Sequence, residues 1–157
     1  MPENLRNAFV AVEDARFYTH NGIDIKRIIG SFIQNFVSGT QQGGSTITQQ
    51  LIKNTVLSNE LSYKRKIQEA YLAMQLETKY TKLQILEYYL NTIYLGENYY
   101  GVYTAARGYF GKELYQLSLR EGGIACNGFK SLEEESWNGP LIEAVGKKFG
   151  FTMDLPL

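Results

Sequence analysis

The sequence predicts an all-α domain. Apolar residues recur at intervals of three and four through most of the chain, which is the period of an amphipathic helix. Capping residues precede several of these runs, and glycines follow some of them. No segment of useful length alternates between apolar and polar residues as a half-buried strand would, and no internal repeat is present. At 157 residues the chain is long enough for one domain with a buried core.

The first two helices are predicted from their apolar spacing. Helix one is indicated by residues at i, i+3, i+4 and i+7, namely Leu5, Ala8, Phe9 and Val12. Asp24 can cap the N-terminus of helix two, and Gly39 is expected to end that helix. Its wide apolar stripe consists of Ile25, Ile28, Ile29, Phe32, Ile33, Phe36 and Val37. We expect this stripe to pack in the core. The alternative is a membrane interface, with Lys26 and Arg27 beside the stripe.

Three helices are predicted in the middle of the chain. Ser45 is expected to begin the third helix, which runs through Val56, and Ser62 the fourth. One face of the fourth helix is apolar at Ile67, Ala70, Tyr71 and Met74. Thr81 and Gln84 form a capping box at the start of the fifth helix. The apolar positions of that helix are Ile85, Leu86, Tyr89, Leu90 and Ile93.

The end of the chain is less regular. A helix or turn is predicted over residues 101–110, and Ser118 and Glu121 form a second capping box. Two consecutive glycines beginning at Gly122 then interrupt a helix where good helix formers would be expected. Residues 126–157 carry a short acidic run and a Gly-Pro pair, and this tail is weakly specified.

Composition excludes several classes of function. Lys and Arg balance Asp and Glu at 16 each, so no overall charge favours nucleic acid as a partner. Cys126 is the only cysteine, which leaves neither a disulfide framework nor a cysteine metal cluster. His20 is the only histidine, which disfavours histidine metal sites and a Ser-His-Asp triad. Carboxylates are therefore the expected acid–base groups. We find no signal peptide and no apolar run approaching about 18 residues.

The segment 43–54, with the sequence G-G-S-T-I-T-Q-Q-L-I-K-N, is unusually rich in uncharged polar groups. A helix start needs one capping oxygen, whereas this run supplies Ser45, Thr46, Thr48, Gln49 and Gln50. Hydroxyl and amide groups followed by Lys53 suit a ligand that has many hydroxyls and an anionic group. The alternative interpretation is a capped helix with a polar outer face.

Two carboxylates, Glu13 and Asp14, stand at the end of the first helix. Glu13 follows the apolar residue Val12, so it could be partly desolvated, and partial desolvation makes a carboxylate a better base. The alternative is that both are solvated charges at a helix end. His20 could carry protons, but we favour structural hydrogen bonds for it.

Three consecutive cations, Lys64, Arg65 and Lys66, begin the fourth helix. Cations at a helix N-terminus oppose the helix dipole, and binding an anion there would account for them. The alternative is a surface salt bridge between Lys66 and Glu69, which stabilises a helix by only a few tenths of a kcal/mol.

Five segments in this order resemble glycosyltransferase family 51. These peptidoglycan glycosyltransferases include a domain of bifunctional penicillin-binding proteins and the monofunctional cell-wall polymerases. The segments are E-D-A-R-F-Y-T-H-N-G (13–22), G-G-S-T-I-T-Q-Q-L-I-K-N (43–54), R-K-I-Q-E (65–69), K-L-Q-I-L-E-Y-Y-L-N-T-I-Y-L-G (82–96) and G-V-Y-T-A-A-R-G-Y-F-G-K (101–112). The resemblance covers about residues 2–125, which predicts a glycosyltransferase domain there and a divergent tail over 126–157.

The resemblance implies a lysozyme-like, all-α domain that lies against the outer face of the bacterial cytoplasmic membrane. It implies lipid II, a lipid-pyrophosphate-linked disaccharide-peptide, and the growing lipid-linked glycan chain as substrates. The 4-hydroxyl of one lipid II attacks the anomeric carbon of the growing chain with inversion, and lipid pyrophosphate leaves. No cofactor is required, although a divalent cation assists the pyrophosphate in some relatives. Other cell-wall synthesis proteins are the expected protein partners.

The matching motifs assign roles to individual residues. By resemblance, Glu13 is the general base and Glu69 the second essential carboxylate, near the leaving group. The cations expected to neutralise the pyrophosphate are Lys53, Arg65 and Lys66. The other residues expected to bind substrate are Asp14, Ser45, Thr46, Gln49, Gln50 and Asn54.

The sequence also departs from the family pattern. Leu61, after Glu60, stands where many members carry an arginine that contacts phosphate. After residue 120 the chain reads E-G-G-I-A-C-N-G-F-K and then loses the likeness, so the C-terminal end of the fold is expected to be altered or incomplete. Two alternatives to polymerisation therefore stay open. One is a non-catalytic lipid II-binding remnant, and the other is a lysozyme-like glycan hydrolase, which the cation cluster disfavours.

Overall fold

A computed structural model describes residues 1–39, 43–56, 62–118 and 120–122 of the chain. The regular structure of these residues is helical, apart from an isolated antiparallel bridge between Tyr94 and Tyr100. The all-α prediction is therefore confirmed. The expectations for Leu61, Cys126 and the tail 126–157 lie outside the described residues.

Six α-helices have bounds that the structure defines in full. They are α1 (Glu3–Glu13), α2 (Ile25–Ser38), α3 (Ile47–Thr55), α4 (Tyr63–Lys79), α5 (Lys82–Thr92) and α6 (Val102–Phe110), with short 3-10 turns at Phe17–Thr19 and Leu114–Gln116. The chain forms two compact units. One consists of Met1–Val12 with the chain from Tyr94 onward, and the other of Glu13–Ile93. None of the described helices combines the length and apolarity needed to cross a membrane.

In the Glu13–Ile93 unit, α3 packs against both α4 and α5. The buried apolar side chains of this unit are Phe17, Ile47, Leu51, Ile52, Ala73, Ile85, Leu86, Tyr89, Leu90 and Ile93. Burial of one such Leu, Ile or Phe side chain contributes about 1.5–3 kcal/mol. Because α3 lies between two helices, the polar groups at its N-terminal end have neighbours on several sides.

The helix starts follow the capping chemistry of the sequence, with one shift. Thr81 and Gln84 make the predicted capping box of α5, and Ser62 caps α4. The third helix begins one position later than predicted, because Thr46 rather than Ser45 is its cap and pairs reciprocally with Gln49. Ser45 is thereby left outside the helix.

The apolar stripe of α2 faces solvent, so the expectation that it packs in the core is wrong. The helix itself forms as predicted: Asp24 accepts a hydrogen bond from the N–H of Arg27, and Gly39 ends the helix in the left-handed conformation. However, Phe32 is 73% exposed and Phe36 is 86% exposed. Helical periodicity specifies which residues share a face, but it does not specify what covers that face.

The predicted apolar face of α4 is likewise exposed at Ile67, Tyr71 and Met74. The residues of α4 that are buried are Glu69 and Ala73, so the helix turns a carboxylate into the protein. Periodicity could not predict this because a buried carboxylate depends on partners from other elements, described below.

Gly22 allows the loop after α1 to approach α4 closely. Its φ is +87°, and a Cβ atom at this position would lie 2.7 Å from the backbone carbon and oxygen of Ala73. Only glycine combines this conformation with this contact at low cost.

The unit formed by Met1–Val12 and the chain from Tyr94 onward has its own buried apolar residues. Its buried side chains are Leu5, Ala8, Phe9, Val10, Leu95, Val102, Ala105 and Ala106. The hydroxyl of Tyr109 donates to the Leu95 carbonyl over 2.9 Å. The predicted capping box is present: the Ser118 N–H donates to the Glu121 carboxylate over 2.8 Å, and the Glu121 N–H donates to the Ser118 hydroxyl over 3.2 Å.

Candidate active site

Asp14 is a fully buried carboxylate that joins the end of α1 to the start of α3. Its Oδ2 atom accepts a hydrogen bond from the N–H of Ile47 over 3.0 Å and lies 2.8 Å from Nε2 of His20. Its Oδ1 atom lies 3.7 Å from Nη1 of Arg27. His20 therefore has the structural hydrogen bond favoured from the sequence, and Asp14 contacts protein groups on several sides.

Glu13 is half-buried beside the N-terminal half of α3. Nε2 of Gln50 donates to its Oε2 atom over 3.0 Å, and Oε1 of Gln50 accepts from the Tyr89 hydroxyl over 3.1 Å. Arg27 donates to the backbone carbonyl of Glu13, which satisfies one of the carbonyls at the C-terminal end of α1. The Glu13 carboxylate is thus held by a side chain while it remains accessible.

Glu69 is 1% exposed and is held by two donors. Its Oε1 atom accepts from Nε2 of Gln49 over 3.2 Å and from Nζ of Lys66 over 2.5 Å. Its buried Oε2 atom has no hydrogen-bond partner among the described residues. Lys66 also donates to the Ser45 hydroxyl over 2.8 Å, so the amino group links Glu69 to the loop ahead of α3.

The two candidate catalytic carboxylates each accept a hydrogen bond from α3, and the two donors are consecutive residues. Gln49 donates to Glu69, and Gln50 donates to Glu13. Two neighbouring residues of α3 therefore hold carboxylates that are 56 positions apart in the sequence. Negative charge is favoured near the N-terminal end of a helix, where backbone N–H groups lack intrahelical acceptors. The sequence assigned both carboxylates to one site, and the structure brings them to one end of α3.

The candidate cations differ in how closely they approach these carboxylates. Lys66 contacts Glu69 directly, and Arg65 is half-buried on the same helix. Lys53 and Asn54 are exposed near the end of α3, one turn beyond the glutamines. The structure therefore joins Lys66 to the carboxylate pair through a contact, whereas Lys53 and Asn54 are placed near it only by their position in α3.

The polar run at the start of α3 divides into two sets. Thr46 and Thr48 are buried and donate over 2.6 Å to the Gly22 carbonyl and to Glu77, respectively. These contacts and the capping role of Gln49 match the interpretation of a capped helix. Ser45 and Gln50 are partly accessible, and their partners are Lys66 and Glu13. Capping therefore explains only part of the run.

Three residues that contact this network were not identified as site residues from the sequence. The sequence pattern indicates Arg27 only as a flank of the α2 stripe, and Tyr89 only as an apolar position of α5. Nζ of Lys82 donates to the His20 carbonyl over 2.6 Å, pairs with Glu77, and lies 4.5 Å from the centre of the Phe17 ring. A lysine at the first position of α5 opposes the helix dipole, and that is the one signal that could have indicated its role.

The next feature is the spacing of side chains that could bind a metal ion. The described segments contain no group of three or more His, Cys, Asp or Glu side chains that could hold a metal ion.

Comparison with known proteins gives a consistent result. The sequence model of the transglycosylase family matches residues 1–127. Penicillin-binding protein 1A of Clostridium tetani is 52% identical over 129 residues, covering 79% of this chain and 16% of the relative. Penicillin-binding protein 1A of Clostridium perfringens is 50% identical over 151 residues, covering 89% and 22%. Penicillin-binding protein 1A/1B of Bacillus subtilis is 41% identical over 165 residues, covering 98% and 18%.

The chain thus spans about a fifth of the length of these relatives. The family match covers most of this chain, however, and includes all five motifs that suggested the resemblance. The chain belongs to the transglycosylase family of peptidoglycan glycosyltransferases.

Proposed function

We propose that this chain polymerises lipid II into glycan strands by inverting glycosyl transfer. The proposal depends on one observation: Glu13 and Glu69 accept hydrogen bonds from consecutive glutamines of α3. Lys66 forms an ion pair with Glu69. Membership of the transglycosylase family supports the reaction class. We assign the activity to residues 2–125.

Glu13 acts as the general base in this proposal. A sugar hydroxyl is a poor nucleophile at neutral pH, so it needs a base within hydrogen-bond reach. Glu13 takes the proton of the 4-hydroxyl of the incoming lipid II as the new bond forms between that oxygen and the anomeric carbon. The bond from the anomeric carbon to pyrophosphate breaks at the same time, and lipid pyrophosphate leaves with the electron pair.

The cations stabilise the leaving group. Negative charge gathers on the pyrophosphate as its bond breaks, so a cation held in place there lowers the barrier more than it strengthens ground-state binding. Lys66 is held by Glu69 and Ser45, which fixes its amino group before the substrate arrives. Lys53 and Arg65 supply further positive charge. Glu69 thereby acts on the leaving group through the lysine that it orients.

The buried polar residues have positioning roles. Asp14, Thr46 and Gln49 are almost fully buried, and their side chains bond to other protein groups. This arrangement favours a role in holding the start of α3 over direct contact with substrate. Ser45, Gln50 and Asn54 remain the uncharged side chains that can reach sugar or phosphate oxygens.

A lipid-linked substrate places the reaction at a membrane surface, and we propose the outer face of the bacterial cytoplasmic membrane. The exposed apolar stripe of α2, which includes Phe32 and Phe36, supports such an association because it is suited to lipid contact. Other cell-wall synthesis proteins are the proposed protein partners. No step of the mechanism is assigned to a metal ion.

Incubation of the purified chain with labelled lipid II tests the proposal directly. We expect glycan strands that lengthen with time and release of lipid pyrophosphate. Binding of lipid II without any turnover would instead identify a non-catalytic remnant. Shortening of preformed strands would identify a hydrolase, and either result would overturn the proposal.

A further inference from the structure

Tyr89 contacts the candidate base through one intermediate side chain. Tyr89 is 2% exposed and lies among the buried apolar residues of α5. Its hydroxyl donates over 3.1 Å to Oε1 of Gln50, whose Nε2 donates over 3.0 Å to Oε2 of Glu13. These contacts run from α5 through α3 to the end of α1.

The order of donors and acceptors in this chain of contacts has a chemical consequence. A carboxamide has a donor end and an acceptor end, whereas an ionised carboxylate can only accept. Because the carboxylate can only accept, the Gln50 amide turns its NH2 group toward Glu13, and the Tyr89 hydroxyl, which can donate as well as accept, donates to the Oε1 atom at the other end. The amide therefore supports the ionised form of Glu13, which is the form that can take a proton.

The hydroxyl of Tyr89 is not needed for packing. Phenylalanine would fill the same position in the apolar stripe, and a buried hydroxyl is costly unless it finds a partner. Gln50 supplies such a partner at the point where the glutamine meets Glu13. Only Oε2 of Glu13 is engaged by a described residue, which leaves Oε1 to accept the substrate proton.

We propose that Tyr89 is a positioning residue for the base. Its hydroxyl holds the Gln50 amide in one orientation, and that amide holds the Glu13 carboxylate in one rotamer. The inference rests on the proposed function, because it gives Glu13 the role of base. Tyr89 itself does not touch substrate.

The test compares Tyr89→Phe with wild type in steady-state polymerisation of labelled lipid II. Loss of one neutral hydrogen bond predicts a fall in kcat of roughly three- to ten-fold, with KM essentially unchanged. Tyr88→Phe is the matched control: it removes a hydroxyl from the neighbouring, exposed position of α5 and should leave kcat at the wild-type value. Wild-type kcat in Tyr89→Phe would overturn the inference.

A double-mutant cycle separates positioning from a general structural effect. Gln50→Met removes both ends of the amide at similar side-chain length. If Tyr89 acts through Gln50, Tyr89→Phe should cause no further fall in kcat in the Gln50→Met background. An equal fall in both backgrounds would show that Tyr89 acts by another route.

A second measurement does not depend on activity. NMR of the Gln50 side-chain amide should give well-dispersed signals in wild type that move towards random-coil values in Tyr89→Phe. Unchanged signals would overturn the positioning role. If wild type made no polymer while these signals moved as expected, the proposed function would fail and the positioning contact would stand.

Discussion

Asp14 accepts a hydrogen bond from the backbone N–H of Ile47, the first residue of α3, over 3.0 Å. This bond satisfies one of the N–H groups that a helix leaves without an intrahelical acceptor. It also fixes the distance between the loop that follows Glu13 and the helix that carries Gln49 and Gln50. The geometry of the candidate base therefore depends on a neighbouring carboxylate that solvent does not reach.

Replacing Asp14 with Asn should destabilise the protein. The amide oxygen can still accept from Ile47, but the charge that faces Arg27 and His20 is lost. We expect the free energy of unfolding to fall by about 1.5 to 3 kcal/mol, the range for hydrogen bonds to charged groups. Urea denaturation measures this. Glu87→Gln, at an exposed position of α5, is the control, and an equal effect of both variants would contradict the prediction.

A side chain at position 22 should be poorly tolerated. Gly22→Ala places a Cβ 2.7 Å from the Ala73 backbone at a φ of +87°, so we expect a loss of roughly 2 to 4 kcal/mol in the free energy of unfolding. Gly30→Ala in α2 is a matched control because a Cβ there meets nothing within 4 Å. In a helix interior that change should stabilise by about 0.5 to 1 kcal/mol. Thermal unfolding of both variants would show opposite signs.

The two lysines of the site should respond differently to truncation. Lys66→Met leaves the buried Glu69 without its cation, so both stability and turnover should fall, stability by about 1 to 3 kcal/mol. Lys53 is exposed, so Lys53→Ala should leave the melting temperature unchanged while lowering lipid II turnover roughly ten- to hundred-fold. Unchanged turnover in Lys53→Ala would show that this lysine is only a surface charge.

The Glu121 carboxylate should contribute to stability in a defined pH range. Hydrogen bonding to Lys112, and then to the N–H of Ser118, lowers the pKa of Glu121 from 4.5 to about 2. A carboxylate whose folded pKa is depressed stabilises the protein above its unfolded pKa, and this contribution is lost as pH falls through the folded value. The stability difference between wild type and Glu121→Gln should therefore shrink between about pH 4.5 and pH 2. Both side chains of the pair are only partly buried, so solvent screens the interaction and the difference should be small. A difference that grew on acidification would contradict the assignment.

Helix caps and helix ends were predictable from the sequence because they depend on residues that are close together in the chain. The capping box of Thr81 and Gln84 and the helix end at Gly39 both appear where the sequence placed them. The five motifs likewise identified the family correctly, since each is a continuous segment.

Features that depend on distant partners were not predictable in this way. The apolar spacing of α2 located the helix but not the solvent around Phe32 and Phe36. Burial of Glu69 requires Gln49, which lies 20 positions earlier in the chain. The hydrogen bond of the Tyr89 hydroxyl could not be predicted, because helical periodicity treats tyrosine as a hydrophobic residue and Tyr89 stands in a run of apolar positions.

Glu13→Gln tests the central claim most directly, through the rate of lipid II polymerisation. The change is nearly isosteric at a half-buried position, so the melting temperature should stay at the wild-type value. Loss of the general base predicts a fall in rate of roughly 10² to 10⁴-fold. Polymerisation at the wild-type rate by a folded Glu13→Gln protein would remove Glu13 from the mechanism and contradict the proposed function of this site.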